Sequence, residues 1–499
     1  MPATPSLIRL VYAPVAAFAL LAACAGALGD PLAHAAPPPS HWPPVWSEAA
    51  AGAEPSVRFQ APSASHCRRG ETVREQPGRS EPAIARTHRR GADEAAVLAD
   101  ATTSRERRAE AEALRSAPAP AAKATGAAPV AAPVGDTAVA PPPQSIAPQR
   151  PAHESVTAGI VDDNADFGAY LAYRRRHPGL PVRDRDIGER YLLEVNDASG
   201  QPVHDAEVAV QRAGQAEPLM WARTDTGGRV WLHPRVFLGA GREDRTLGVA
   251  VRKGASQGRA VLVRGQAAAV QVQLGGASAV QRPRLDLVFL VDATGSMGDE
   301  IAKLKASMRA MSQQIAQLPG APDICYGLVA YRDRGDAFIT RTHDFTDDLG
   351  AFQQMLARVQ AGGGGDTPEA LNEAFHEVVH GLSWRTDAAR RPRARRGAPP
   401  HLDYGGPQYD VDMQAALAKG IKLFAVGASG LDPVGEYIYR QIAQYTAGRF
   451  VFLTYRDGVD PSSGPGAQTV HDVRGYSVQT LDRLIVQLVS QELGRLARG

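Results

Sequence analysis

The stretch LDLVFLVD, residues 285–292, constrains the fold more tightly than any other part of this chain. Its apolar residues run on without the alternation of a half-exposed strand. It therefore reads as a strand covered on both faces, the kind found in parallel sheets flanked by helices. The residues that follow repeat this grammar. DEIAKLKASMRAMSQQIAQL places Ile301, Leu304, Met308, Met311, Ile315 and Leu318 on one helical stripe. ICYGLVAYRD is a second strand and FITRTHDF an edge strand. A helix over DTPEALNEAFHEVVHGLSW, a strand IKLFAVGAS, a helix around GEYIYRQIAQYTAG, a strand RFVFLT and a closing helix SVQTLDRLIVQLVSQELGRLA complete the series. Strand-helix alternation predicts an α/β, doubly wound, mostly parallel sheet of Rossmann-like type over 283–499, with any ligand at the C-terminal ends of its strands.

Ahead of this unit, residues 188–278 alternate short strand runs with turns such as ASGQ and TDTGG, which predicts a small β-sandwich. Residues 156–187 read as a short helix and linker. Residues 25–155 are rich in Pro, Ala and Arg and bury too little apolar surface to offset ordering entropy, so a long disordered tether is expected. Residues 1–24 form a signal peptide: Arg9, an apolar run, then LAAC, a lipobox whose Cys24 would be lipidated. A cleavage site at AHA competes, but the lipobox follows the apolar run directly and is preferred. The chain is expected in a bacterial cell envelope, lipid-anchored on its periplasmic or outer side. With only Cys67 and Cys325 remaining, one in the tether and one in a buried strand, no structural disulfide is expected. The net charge of +2 gives no basis for nucleic-acid binding.

The first strand ends in DATGSMGDE. Asp292, Thr294 and Ser296 offer a carboxylate and two hydroxyls at alternate positions, an all-oxygen set suited to a hard cation such as Mg2+. This loop, with GGGGDTPEA further on, resembles the von Willebrand factor type A domain in its bacterial branch. SGQPVHDAEVAV and ARTDTGGRVWL resemble the carboxypeptidase-regulatory-like sandwich. The first resemblance implies a metal-ion-dependent adhesion site holding Mg2+, or alternatively Mn2+ or Ca2+. Its ligands would be Asp292, Thr294, Ser296 and Thr367, with Asp366 as a supporting group, and the ion's open position would take an Asp or Glu of a partner protein. It implies a binding protein rather than an enzyme.

Two features cut across this reading. The fold asks for a central strand ending in a further aspartate, yet residues 385–397 read RTDAARRPRARRG, with six arginines, a proline and no apolar run. That composition argues against a buried central strand. Asp387 is the nearest substitute upstream and Asp403 lies downstream. Either an out-of-frame stretch replaces an apolar strand, or the site is degenerate and the protein a metal-independent envelope scaffold. HEVVH, residues 376–380, matches a zinc-protease motif, with His376 and His380 as ligands and Glu377 as base. The helix's apolar face leaves both histidines toward solvent, and Ser383 and Thr386 break the extended motif, so a zinc hydrolase is only a remote alternative.

Overall fold

The computed structural model describes residues 67, 73–78, 156–213, 215, 217–238, 244–276, 283–364, 368–385, 389–395, 399–403, 405–428 and 430–496. Side chains at 296, 299–300, 389, 391–395 and 496 stand outside that description. So do the signal segment with Cys24 and nearly all of 25–155.

The chain enters with strands β1 (Arg74–Pro77) and β2 (Thr157–Val161) and helix α1 (Phe167–Arg176). Seven short strands follow: β3 (Tyr191–Asp197), β4 (Glu207–Arg212), β5 (Pro218–Arg223), β6 (Arg229–Leu232), β7 (Thr246–Lys253), β8 (Ser256–Val263) and β9 (Val270–Leu274). They form a three-stranded sheet, β6-β3-β9, and a four-stranded one, β5-β4-β7-β8. The α/β part contains β10 (Arg284–Asp292), α2 (Gly298–Ala316), β11 (Asp323–Tyr331), β12 (Phe338–Thr346), α3 (Leu349–Arg358) and α4 (Leu371–His376), which runs into a π-turn over Glu377–Gly381. After it come β13 (Ala389–Arg395), α5 (Tyr409–Ala418), β14 (Phe424–Gly427), α6 (Pro433–Tyr445), β15 (Arg449–Asp457), β16 (Asp460–Pro465), β17 (Gln479–Thr480) and α7 (Leu481–Leu496).

The large sheet orders β1-β12-β11-β10-β13-β14-β15-β2-β17, with β16 paired to β15. Its centre, β11-β10-β13-β14-β15, is parallel, and its flanks are antiparallel. Alternation along β10 explains the two layers. Leu285, Leu287, Phe289 and Val291 face a core built with Ile301, Leu304 and Met308 of α2 and Leu484 and Ile485 of α7. Val288 and Leu290 face the opposite core, with Phe375, Tyr409 and Ile438, which is continuous with the interior of the smaller sheets. A strand buried on both faces is what the continuous apolar run demands.

Several expectations are corrected. Residues 156–187 are not merely a helix and linker: β2 pairs with β15, Val161 opposite Phe450, so β3–β9 are inserted between two strands of one sheet. The segment FITRTHDF is not an edge, because β1 pairs beyond it, Arg74 opposite Thr342. The tether is therefore ordered at this point. A disulfide also exists, joining Cys67 to Cys325 of β11 with Cα atoms 5.9 Å apart. The two cysteines meet because β1 brings its segment against the sheet, a tertiary contact that composition does not report.

The arginine-rich run does form the central strand. β13 lies parallel to β10 from Leu285↔Ala389 to Val291↔Arg395. Ladder hydrogen bonds come from the backbone, so a charged sequence can pair if its side chains find partners. Arg390 shows how: it is buried, its Nη1 donating to Asp205 Oδ1 at 2.9 Å and to Lys419 O at 2.7 Å and its Nε to Arg385 O at 2.9 Å. Asp205 also accepts from Arg223 Nη1 at 3.1 Å. Burial pushes its carboxyl up, and Arg390 and Arg223 outweigh this and hold it well below its ordinary value. On the β14 side the pairing thins to Arg395↔Val426 and a bridge at Arg390↔Ile421, with Pro392, which has no N–H to give, between them.

Polar groups fasten the smaller sheets to the large one. Lys422 Nζ donates to Asp225 Oδ2 at 2.7 Å and to Glu492 Oε1 at 3.2 Å, and Thr226 Oγ1 donates to Glu492 Oε2 at 2.7 Å. His233, fully buried, stacks on Tyr445 of α6 with centroids 4.9 Å apart. Burial pushes its imidazole down from 6.5 to about 3. A folded value below the unfolded one means the stability is fully present above pH 6.5 and drains away as pH falls toward 3. Between pH 6.5 and 5, His233 alone should cost about 2 kcal/mol at ~1.4 kcal/mol per unit. His204 and His343, pushed down by burial to about 4, act in the same direction. Urea unfolding at the two pH values should show this loss, and His233→Phe, which keeps the stacking ring, should reduce it.

Candidate metal centre at the end of β10

At the C-terminal end of β10 the backbone turns sharply. Ala293 N donates to Tyr331 O at 2.8 Å, Thr294 is extended with φ −70° and ψ 164°, and a 3-10 turn over Gly295–Met297 leads into α2. Asp292 is 2 % exposed, and its Oδ1 accepts from Thr294 N at 2.9 Å and from Thr294 Oγ1 at 2.7 Å. Ser296 follows on the same turn, its side chain outside the described atoms.

The glycine loop closes over this turn. Gly295 N donates to Gly363 O at 2.8 Å, and Gly362 N donates to Ala293 O at 3.0 Å. A Cβ on Gly295 would stand 2.6 Å from Gly363 O, so only glycine permits this approach. Thr367 and Asp366, assigned to this loop as ligand and supporting group, lie outside the described residues, as does Asp387. The structure places another carboxylate here. A Cβ built on Gly364 would lie 3.1 Å from Thr294 Cβ and 3.4 Å from Glu369 Oε1, so the Glu369 carboxylate and Thr294 flank the same glycine. Glu369 is 4 % exposed and its N–H donates to Pro399 O at 3.0 Å. Sequence reasoning missed it, although it stands two residues after Thr367 in the quoted loop.

A third segment joins them. Arg395, opposite Val291, ends the described part of β13, and in the sequence Gly397 stands where the resemblance called for an aspartate. Beyond it, His401 Nε2 lies 3.0 Å from Asp333 Oδ1 and its Nδ1 3.3 Å from Asp403 Oδ1, which ties Asp403 up at the rim. Arg332 knits the loops: its Nε donates to Ala293 O and its Nη2 to Gln360 O, both at 3.1 Å, and its own carbonyl accepts from Ala370 N. Burial pushes the Tyr331 phenol up, and the nearby charges of Asp292 and Glu369 add to the shift. Two buried carboxylates and a hydroxyl make an all-oxygen set, and such donors fit a hard divalent cation.

The HEVVH run lies elsewhere. α4 starts at Leu371 with Ala370 at its cap, later than the sequence suggested. Glu377 is ion-paired with Arg74 of β1, whose Nη2 also donates to Gly381 O at 2.9 Å.

Residues 286–380 match the family model described as von Willebrand factor A domain. The chain is 35% identical over 97 residues to an ariadne-like RING finger protein of Acanthamoeba polyphaga mimivirus, covering 19% of this chain and 9% of that protein. It is 38% identical over 93 residues to von Willebrand factor A domain-containing protein 7 of Rattus norvegicus, covering 19% of this chain and 10% of that one. A solved von Willebrand factor type A protein from Catenulispora acidiphila aligns with 59% of this chain and 51% of its own at 13% identity, with a TM-score of 0.30, too loose a fit to add weight. The chain thus spans about a tenth of the length of these curated relatives. Residues 286–380, which carry Asp292, Thr294 and the glycine loop, are thus the part of the α/β unit that matches the von Willebrand factor A domain.

Proposed function

We propose that this protein is an exported, lipid-anchored cell-envelope adhesion or assembly module whose von Willebrand factor A domain captures a partner's carboxylate through Mg2+. Domains of this kind point to a protein-interaction role. The observation that carries the finer reading is the hydrogen-bonded, buried pair Asp292–Thr294 at the C-terminal end of a central strand, with the Glu369 carboxylate across Gly364 from Thr294. In this reading Asp292, Thr294, Ser296 and Thr367 hold the ion, and Glu369 supplies the negative charge that the third loop lacks. The ion provides a positive charge and an exchangeable position for an Asp or Glu of the partner. Arg332 and the glycine loop hold the frame, so little reorganisation accompanies binding. The Cys67–Cys325 bond supports an oxidising, extracytoplasmic setting. The reading is non-enzymatic, in keeping with the engagement of Glu377 by Arg74.

A second reading, a metal-independent scaffold, draws on Gly397 in place of the third-loop aspartate. Glu369→Gln separates the two. If Glu369 completes the site, calorimetric Mg2+ affinity should fall at least about tenfold, the order seen when groups that support a metal site are removed. Unchanged affinity would remove Glu369 from the site, and no Mg2+ binding by the folded wild type would leave the scaffold.

A further inference from the structure

Two imidazoles and a carboxylate converge where α4 meets α5. His376 Nδ1 lies 3.1 Å from Asp412 Oδ1 and 3.2 Å from Oδ2, and His380 Nε2 lies 3.0 Å from Oδ1. All three ligand atoms fall within 4.8 Å of one another, and the two rings stand 4.4 Å apart. The sequence sets the histidines one turn apart on one helix face. The π-turn over Glu377–Gly381 shapes that turn, a distortion often found at functional sites. Asp412 arrives from the first turn of α5, 36 residues beyond His376. Its side chain is 4% exposed, while those of His376 and His380 are 47% and 38% exposed. A buried carboxylate therefore sits beneath two imidazoles that are open to solvent on their other side.

We infer that His376, His380 and Asp412 form a binding site for a divalent transition-metal ion of the Zn2+ type, which clamps α4 to α5 and completes its coordination with water. Tetrahedral zinc with bonds of about 2.0–2.1 Å sets neighbouring ligand atoms roughly 3.3 Å apart. The N···O separations of 3.0–3.2 Å are close to that spacing, and the two imidazole nitrogens lie within 4.8 Å of each other. Two imidazole nitrogens with one carboxylate favour a borderline ion over Mg2+. The site is thus chemically distinct from the oxygen cluster at Asp292. It is a clamp and not a hydrolytic centre, because Glu377, the base such a centre needs, is paired with Arg74.

The position of the clamp gives it a role. α4 leads out of the loop carrying Glu369, and α5 leads out of the segment carrying His401. Asn372 already joins these segments, its Nδ2 donating to His401 O at 2.7 Å and its Oδ1 accepting from Tyr409 N at 2.9 Å. A metal between the two helices would fix the same junction one turn further on.

The test is a calorimetric Zn2+ titration of the full chain, wild type beside His376→Ala, His380→Ala, Asp412→Asn and Asp292→Ala, with the absorption spectrum of the Co2+-loaded protein as a second readout. With excess Mg2+ present to occupy the Asp292 site, one Zn2+ per chain is expected, weakened at least about tenfold in each of the first three variants. It should be unchanged in Asp292→Ala and resistant to excess Mg2+, with visible Co2+ bands that vanish in the histidine variants. Zn2+ binding in excess Mg2+ that survives a His376→Ala/His380→Ala double substitution, or none in the folded wild type, would overturn the assignment. The two histidines are half exposed, so their variants keep the test decisive even if Asp412→Asn folds poorly.

Discussion

Asp286→Ala should destabilise the protein by about 3–5 kcal/mol, the cost of leaving one member of a buried ion pair without the other. Asp286 lies inside the apolar run of β10 and is completely buried, and its partner Arg385 is 1 % exposed. Arg385 Nε donates to Asp286 Oδ1 and its backbone N–H to Oδ2, both at 2.7 Å. The guanidinium also reaches Leu285 O at 3.2 Å, Asp323 O at 3.0 Å and Asp323 Oδ2 at 2.8 Å. Burial pushes the Asp286 carboxyl up even with Arg385 beside it. Desolvation is therefore not fully returned by the pair. Denaturant titration should show the loss for the single change, while Asp286→Leu with Arg385→Met should recover much of it, because two matched apolar side chains leave no buried charge. A single change that costs less than about 1 kcal/mol would mean that Arg385 finds other partners within reach.

Loss of the Cys67–Cys325 bond is the second large effect. The two residues are 258 apart in sequence, and a cross-link of that span restricts the unfolded chain by about 5.6 kcal/mol in the loop-entropy description, with 2–5 kcal/mol typical of measured removals. The bond also anchors β1, whose Arg74 pairs with Glu377 and whose Glu75 accepts from Arg341 Nε at 2.7 Å. Cys67→Ser should lower the unfolding free energy, read from denaturant titration, by this amount and expose residues 73–78 to proteolysis. Equal stability of the oxidised and reduced protein would show that β1 is held by its ladder and ion pairs alone.

The elements that carry their own burial signal were readable from sequence. β10 announces itself by an unbroken apolar run, and α2 by a stripe whose Ile301, Leu304, Met308, Met311 and Ile315 are all buried. The elements that were not readable depend on partners remote in sequence. β13 looks like surface because arginine is a surface residue on average, and its burial at Arg390 is balanced by Asp205, 185 residues away. β1 and β2 are short and flanked by coil-like composition, and only the sheet they extend shows what they are. At the candidate site Asp292 and Thr294 were legible because they share one loop. Glu369 was not, since the resemblance points to hydroxyls in that loop and not to the acid two positions on. Asp412 stayed hidden behind the 36 residues that separate it from His376.

The most direct test of the central claim is calorimetric Mg2+ titration of the full chain beside Asp292→Ala. The account predicts one saturable Mg2+ site in the wild type that disappears in the variant while the fold, followed by circular dichroism, is retained. Equal Mg2+ binding by the two proteins, or none by the folded wild type, would contradict it.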